Sequence, residues 1–283
     1  MVERRPWLNG LSHAVLLLGV LVVAFPVYLT FVAASHTAEA IVQAPMPLLP
    51  GGHFWDNMVT ALSGKGTGPG SKAPVNQMLM VSLISALTIA LAKIGISLLS
   101  AFALVYFRFP FKQVFFWAIF VTLMLPVEVR ILPTYKVLSD LNMLNTYAGL
   151  TVPLIASATA TFLFRQFFLT VPEELTEASR MDGASPMRFF FDVLLPLSKT
   201  SMAALFVIQF IYGWNQYLWP LLATTGEDMY PVVVGIKRMI AGGDSQNEWN
   251  VVMATAILAM LPPAIVVVGM QKWFVKGLVD TEK

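Results

Sequence analysis

Charge vanishes from this chain for long stretches. No Asp, Glu, Lys or Arg lies between Arg5 and Glu39, between Asp140 and Arg165, between Lys199 and Glu227, or between Glu248 and Lys272. A helix crossing a hydrocarbon core of ~30 Å needs ~20 mostly apolar residues. The four runs therefore predict membrane spans at about 11–34, 146–168, 200–222 and 250–274. Two further runs, about 76–106 and 113–134, carry interrupting charge and bring the expected number of spans to six. The pattern is that of an all-α membrane protein forming one domain over 1–283.

Between the fourth and fifth runs the chain turns polar. Thr170-Val171-Pro172-Glu173-Glu174 breaks the apolar pattern and opens a helix. Pro172 suits a first turn, and Glu173, Glu174 and Glu177 favour the positive end of the helix dipole. Asp182-Gly183-Ala184-Ser185-Pro186 predicts a turn, because Gly accepts positive φ and Ser-Pro opens the next segment. Met187 to Leu195 then continues as an amphipathic piece towards Pro196. A short acidic helix exposed at a membrane face, on a chain without catalytic groups, predicts a docking element. A solvated loop with acidic caps is the plainer alternative.

Composition agrees with the spans. Apolar residues make up 57% and charged residues 12%, against roughly 25% charged in soluble domains, and mean hydropathy is +0.71. The first apolar run, Leu11 to Ala34, exceeds the ~7–15 residues of a signal-peptide core, so it is expected to stay as a span. Cleavage at Ala33-Ala34-Ser35 is the alternative. With no cysteine there are no disulfides or thiolate metal sites, and a net charge of +2 points to no nucleic-acid partner.

Lys and Arg positions set the expected orientation. With the amino terminus in the cytoplasm, eleven basic residues lie inside and seven lie outside or within spans. The short loop around Arg108 and Lys112 is purely basic and strengthens the bias. Both termini and the acidic loop, about 170–197, are then cytoplasmic. The first outside loop, Ser35 to Val75, is rich in Pro and Gly. Its stretch from Ser63 to Lys72 has a superficial likeness to a phosphate cradle, but Gly70-Ser71-Lys72 lacks the Gly-Lys-Ser/Thr order. A flexible linker is the better expectation.

Glu177-Ala178-Ser179, then Gly183, Val193 and Leu195-Pro196 stand at the spacing Glu-Ala-Ala, three residues, Gly, nine residues, Ile, one residue, Leu-Pro. That arrangement resembles the motif of inner-membrane permease subunits of bacterial ABC importers, with Ser for the second Ala and Val for Ile. Tyr230-Pro231 through Ile236, Glu248-Trp249 and Gln271 through Leu278 resemble the carbohydrate-uptake, maltose-type branch. Phe107-Arg108-Phe109-Pro110, Leu123 through Arg130, Tyr212 through Pro220 and the tail Gly277 to Asp280 are most similar to permeases of sn-glycerol-3-phosphate importers.

The resemblance implies a type I importer architecture in the bacterial inner membrane. It implies four partners: a second, different permease, two copies of a cytoplasmic ATPase, a periplasmic substrate-binding protein, and membrane lipid. ATP and Mg would be used by the ATPase subunits, with no cofactor bound by this chain. Glu174, Glu177, Ala178, Ser179, Gly183, Val193, Leu195 and Pro196 would form the ATPase-coupling element. Glu177 would pair with a basic residue of the ATPase. Val232 to Ile240 resembles a loop that reaches the binding protein, with Val234, Gly235 and Ile236 as its contacts. The tail ends at Lys283, without the longer glycine-containing ending of the maltose-type pattern.

Ionisable groups within spans cost at least ~2.5–3.5 kcal/mol at the bilayer centre, so each requires a reason. Arg130 and Lys93 are expected to line a substrate path, where a planar guanidinium suits phosphate. Interfacial anchoring beside Glu128, or snorkelling, is the structural alternative. Gln209, Tyr212, Gln216 and Trp219 fall on one helical face with Asn215 beside it, and suit a polyol. Hydrogen bonding between helices serves equally well.

The substrate that the resemblance implies is sn-glycerol-3-phosphate, with glycerophosphodiesters as relatives. A related importer of a neutral sugar or oligosaccharide remains open. An ion-coupled secondary transporter would place more acids or His within its spans and show inverted repeats. An intramembrane enzyme is disfavoured, because His13, His36 and His53 are scattered and no catalytic motif is present.

Overall fold

The computed structural model describes residues 6–64, 73–122, 127–240 and 247–279. The glycine-rich stretch 65–72, the Glu128 side chain and the tail 280–283 lie outside the described residues. The described residues are mostly helical, with no strand among them. They fall into two compact units, one of residues 1–77 and 235–260, the other of 78–234 and 261–283.

Among the described residues, three helices are long and apolar enough to cross a membrane: α1 (Pro6–Ala34), α4 (Val75–Tyr106) and α15 (Trp249–Val279). The charge in 76–106 does not interrupt α4, which runs unbroken for 32 residues with Lys93 buried within it. Two bent pairs raise the number of candidate spans to five. One pair joins α7 (Tyr147–Thr151) and a 3₁₀ turn to α8 (Ala158–Leu169) at 49°. Pro153 in that turn has no N–H to continue the ladder, and Ser157 recaps the chain by accepting from the Ala160 N–H at 3.2 Å. The other pair joins 186–197 to α12 (Lys199–Trp214) at 72°.

One predicted span is corrected. The run 200–222 is not one helix: α12 stops at Trp214, and α13 (Leu218–Ala223) begins after a break. A continuous helix would require an N–H from Pro220, which has none. Of the run 113–134, α5 (Lys112–Val121) and the start of α6 (Val127–Asp140) are described, and residues 123–126 between them lie outside the described residues.

In the first unit, α2 (Ala38–Val42) and α3 (Phe54–Ser63) fold the first half of the Pro- and Gly-rich run 35–75, ahead of the expected linker. Asn57 of α3 donates to the carbonyls of Ala34 and His36, both at 2.8 Å, and accepts from Asn250 at 2.7 Å. The Phe31 and Phe54 rings meet at 5.1 Å.

The second unit holds two apolar clusters. Phe102 of α4 packs with Phe164 and Phe168 of α8 and with Phe189, Phe190 and Leu194. A second cluster joins Val81 and Ile89 to Leu138, Leu150 and Trp219, whose indole N–H donates to the Gly149 carbonyl at 3.1 Å.

Candidate functional site

The acidic segment forms α9 (Glu173–Met181), beginning one residue after Pro172. Glu173 and Glu174 occupy its first turn and Arg180 its last, each matching the helix dipole. Gly183 ends it at φ +72°, a left-handed conformation that costs a side-chain-bearing residue far more. The N–H of Gly183 donates to the Arg180 carbonyl and that of Ala184 to Ser179, both at 3.0 Å. Ser185 then caps α10 (Pro186–Phe189), with Pro186 in its first turn.

No side chain of α9 is fully buried. Glu174, Glu177 and Ala178 are exposed, and Met181 is 84% exposed. The inner face is different: Thr176, Ser179 and Arg180 border a cavity of about 240 Å³ shared with Phe102, Tyr106 and Phe189.

A π-helical turn, Phe190–Leu194, follows α10 and leads through α11 (Leu195–Leu197) to α12. Its wide turn drives Phe189, Phe190 and Leu194 into the core and leaves Phe191 outside. The Tyr106 ring meets Phe189 edge-on at 5.3 Å, and Phe102 meets Phe190 at 5.0 Å. Val193 and Leu195 pack partly buried against the same cluster, while Pro196 is exposed. The motif residues thus divide, with Glu174, Glu177 and Ala178 facing outward, Gly183 making the turn, and Val193 and Leu195 anchoring it.

A second candidate region lies between α4, α6, α8 and α12. A cavity of about 470 Å³ is bordered by Lys93, Arg130, Ser157, Thr159, Gln209 and Tyr212, among others. Lys93 is only 6% exposed; its ammonium donates to Gln209 Oε1 at 3.1 Å and sits 3.7 Å from the Tyr212 ring centroid. Arg130 is exposed at the cavity edge.

Only part of the predicted polar face meets here. Gln209 and Tyr212 reach the cavity, whereas Gln216 donates to the Tyr212 carbonyl at 3.1 Å and Asn215 caps α12. Trp219 belongs to α13 and is buried in the second cluster. The helix break separates residues that an unbroken 3.6-residue repeat would align.

The third predicted set is on α14 (Val232–Met239), where the predicted helix forms. Val234 is 0% exposed and Gly235 is buried, so neither presents a surface, and Ile236 is half-buried. Lys237 is the exposed residue of this helix. Val232 to Ile236 is an unbroken run without a charged or polar residue, as a packed segment would be, whereas the family likeness had turned it outward.

Among the described residues no group of three or more His, Asp or Glu side chains is placed to hold a metal ion. The sequence reading missed Asn145, which holds φ at +56°. Its Oδ1 accepts from the N–H groups of Thr225 and Gly226 at 2.6 and 2.9 Å, and its Nδ2 donates to the Thr225 hydroxyl at 2.8 Å. Asn in a Leu-Asn-Thr loop was the available signal.

Residues 93–280 match the family described as binding-protein-dependent transport system inner membrane component. The sn-glycerol-3-phosphate transport system permease protein UgpE of Agrobacterium fabrum is 59% identical over 283 residues, covering all of both chains. The protein of that name from Escherichia coli K12 is 57% identical over 284 residues, again end to end. A solved bacterial ABC transporter involved in the import of the acidic polysaccharide alginate contains a chain with a TM-score of 0.77. It is 23% identical, and the match covers 97% of this chain and 99% of that one, a likeness of fold.

Proposed function

Since this chain belongs to the family of inner membrane components of binding-protein-dependent transport systems, we propose that it moves sn-glycerol-3-phosphate from periplasm to cytoplasm as one permease subunit of an ATP-driven importer. Full-length identity of 57–59% to glycerol-3-phosphate permeases carries the substrate assignment. Glycerophosphodiesters share the phosphate and polyol chemistry and fall within the same reading.

The chain crosses the membrane six times, with α5 and α6 together as the third span, and both termini are cytoplasmic. It pairs with a different permease, above two ATPase subunits and below a substrate-binding protein. It has no catalytic site of its own; ATP and Mg are consumed by the ATPase. The exposed acidic surface of α9 docks in an ATPase cleft, with Glu177 against a basic residue. Phe189 and Phe190 hold that helix to α4 and α8, so closure of the ATPase dimer moves the bundle as a unit. The path runs past Arg130, Lys93, Gln209 and Tyr212, with Asn215 and Gln216 at the broken end of α12. The binding protein meets α14 through Lys237 and Ile236.

Uptake by proteoliposomes carrying the whole complex tests the reading. ATP-dependent accumulation of labelled sn-glycerol-3-phosphate, absent without the binding protein, is the expected result. Accumulation of maltose in its place would overturn the substrate and favour the neutral-sugar alternative.

A further inference from the structure

Three features that favour an anion converge on the 470 Å³ cavity. The first is Lys93, more than nine-tenths buried on α4. Its described partners are neutral, the Gln209 amide oxygen and the Tyr212 ring, and no Asp or Glu is among the described residues lining the cavity. A buried cation without a carboxylate is costly unless its counter-charge arrives with a ligand. The second is Arg130, whose planar fork matches phosphate oxygens. The third is the start of α8. Residues 156–159 border the cavity; the Ser157 hydroxyl caps the Ala160 N–H and its carbonyl accepts from the Thr161 N–H. Ala158 and Thr159 stand in the first turn, whose N–H groups the helix's own ladder does not satisfy, at the positive end of the helix dipole.

We infer that this cavity is a phosphate-monoester subsite in the permease itself, in which Lys93 and Arg130 bind the phosphate beside the first turn of α8. The inference rests on the importer reading and deepens it, since recognition of the anion is then shared between the binding protein and the path. The neutral partner suits transit: an arriving phosphate replaces an amide contact and breaks no ion pair. Gln209 acts as a positioning residue, holding the ammonium towards the cavity across the gap between α4 and α12.

Three substitutions separate this site from a structural tie between helices. Lys93→Met removes the cation, and Lys93→Arg keeps it. Gln209→Glu is close to isosteric and sets a carboxylate against Lys93, which would strengthen a structural tie but neutralises a phosphate site. In proteoliposomes of the assembled complex, Lys93→Met and Gln209→Glu each lower initial glycerol-3-phosphate uptake at least tenfold, and Lys93→Arg recovers more than half. Gln209→Glu uptake within twofold of native, with native uptake present, overturns the subsite and leaves the importer reading intact. Inorganic phosphate probes the site without transport. Protection of the native complex, and not of Gln209→Glu, against thermal unfolding supports the subsite even where native uptake of glycerol-3-phosphate fails. Equal protection, or none, counts against it.

Discussion

Ala86 of α4 and Gly213 of α12 pack backbone to backbone: a β-carbon added at Gly213 would lie 3.0 Å from the Ala86 α-carbon. The obstacle is backbone, which cannot swing aside. Seven residues along α4 and four back along α12, the same pair of helices carries the Lys93–Gln209 bond. Close packing and the polar contact share one interface, as expected where small residues let membrane helices approach.

Gly213→Val is therefore expected to force the helices apart. Overpacking of this kind costs about 1–3 kcal/mol, so the purified complex should melt several degrees lower and uptake should fall. Gly213→Ala should show a smaller effect in the same direction. An unchanged melting point for Gly213→Val would mean that the two helices yield freely.

Phe189 is the link between the acidic helix and the core. Phe189→Ala removes a buried ring, a change worth about 3–5 kcal/mol in a packed core. The expected outcome is a complex that still co-purifies with its ATPase but transports at a small fraction of the native rate per ATP hydrolysed. Native coupling in this variant would show that the anchor lies elsewhere.

Asn145→Ala leaves the Thr225 and Gly226 N–H groups without their acceptor. The site is exposed and water takes part of the load, so the loss is about 1 kcal/mol. Asn145→Asp keeps the acceptor and should retain more stability. Thermal melts of the two variants, compared with native, check the order.

Glu248 lies outside the spans, and burial raises its carboxyl above the usual 4.5. Its Oε2 is buried without a hydrogen-bond partner among the described residues. A raised acid favours its neutral form in the fold, so its contribution is present below the ordinary value and is lost as pH rises through the higher, folded value. Glu248→Gln should raise the melting temperature at pH 8 and change little near pH 4. A larger gain at the acid end would reverse the sign and refute the assignment.

Apolar runs without charge located α1 and α15 to within a few residues, because lipid-facing helices must be apolar along their whole length. The acidic helix was equally legible, since its stop at Gly183 and restart at Ser185-Pro186 are local backbone chemistry. The break after Trp214 was not, although Pro220 was in view: a span-length hydropathy window averages over one missing N–H. The outward reading of Val234 and Gly235 failed because burial is set by tertiary packing. The π turn at Phe190–Leu194 has no sequence rule, and only the Phe189-Phe190-Phe191 run hints that two neighbours must both turn inward. Lys93 stood out as a charge within a span, but its partner Gln209 is 116 positions away and reaches it only through the fold.

The most direct measurement is ATP hydrolysis by the reconstituted complex, native against Glu177→Lys, with subunit assembly verified by co-purification. The account predicts that glycerol-3-phosphate presented by its binding protein stimulates the native complex, and that charge reversal at Glu177 reduces that stimulation at least tenfold. Full stimulation in an assembled Glu177→Lys complex would contradict the claim that α9 receives the ATPase stroke.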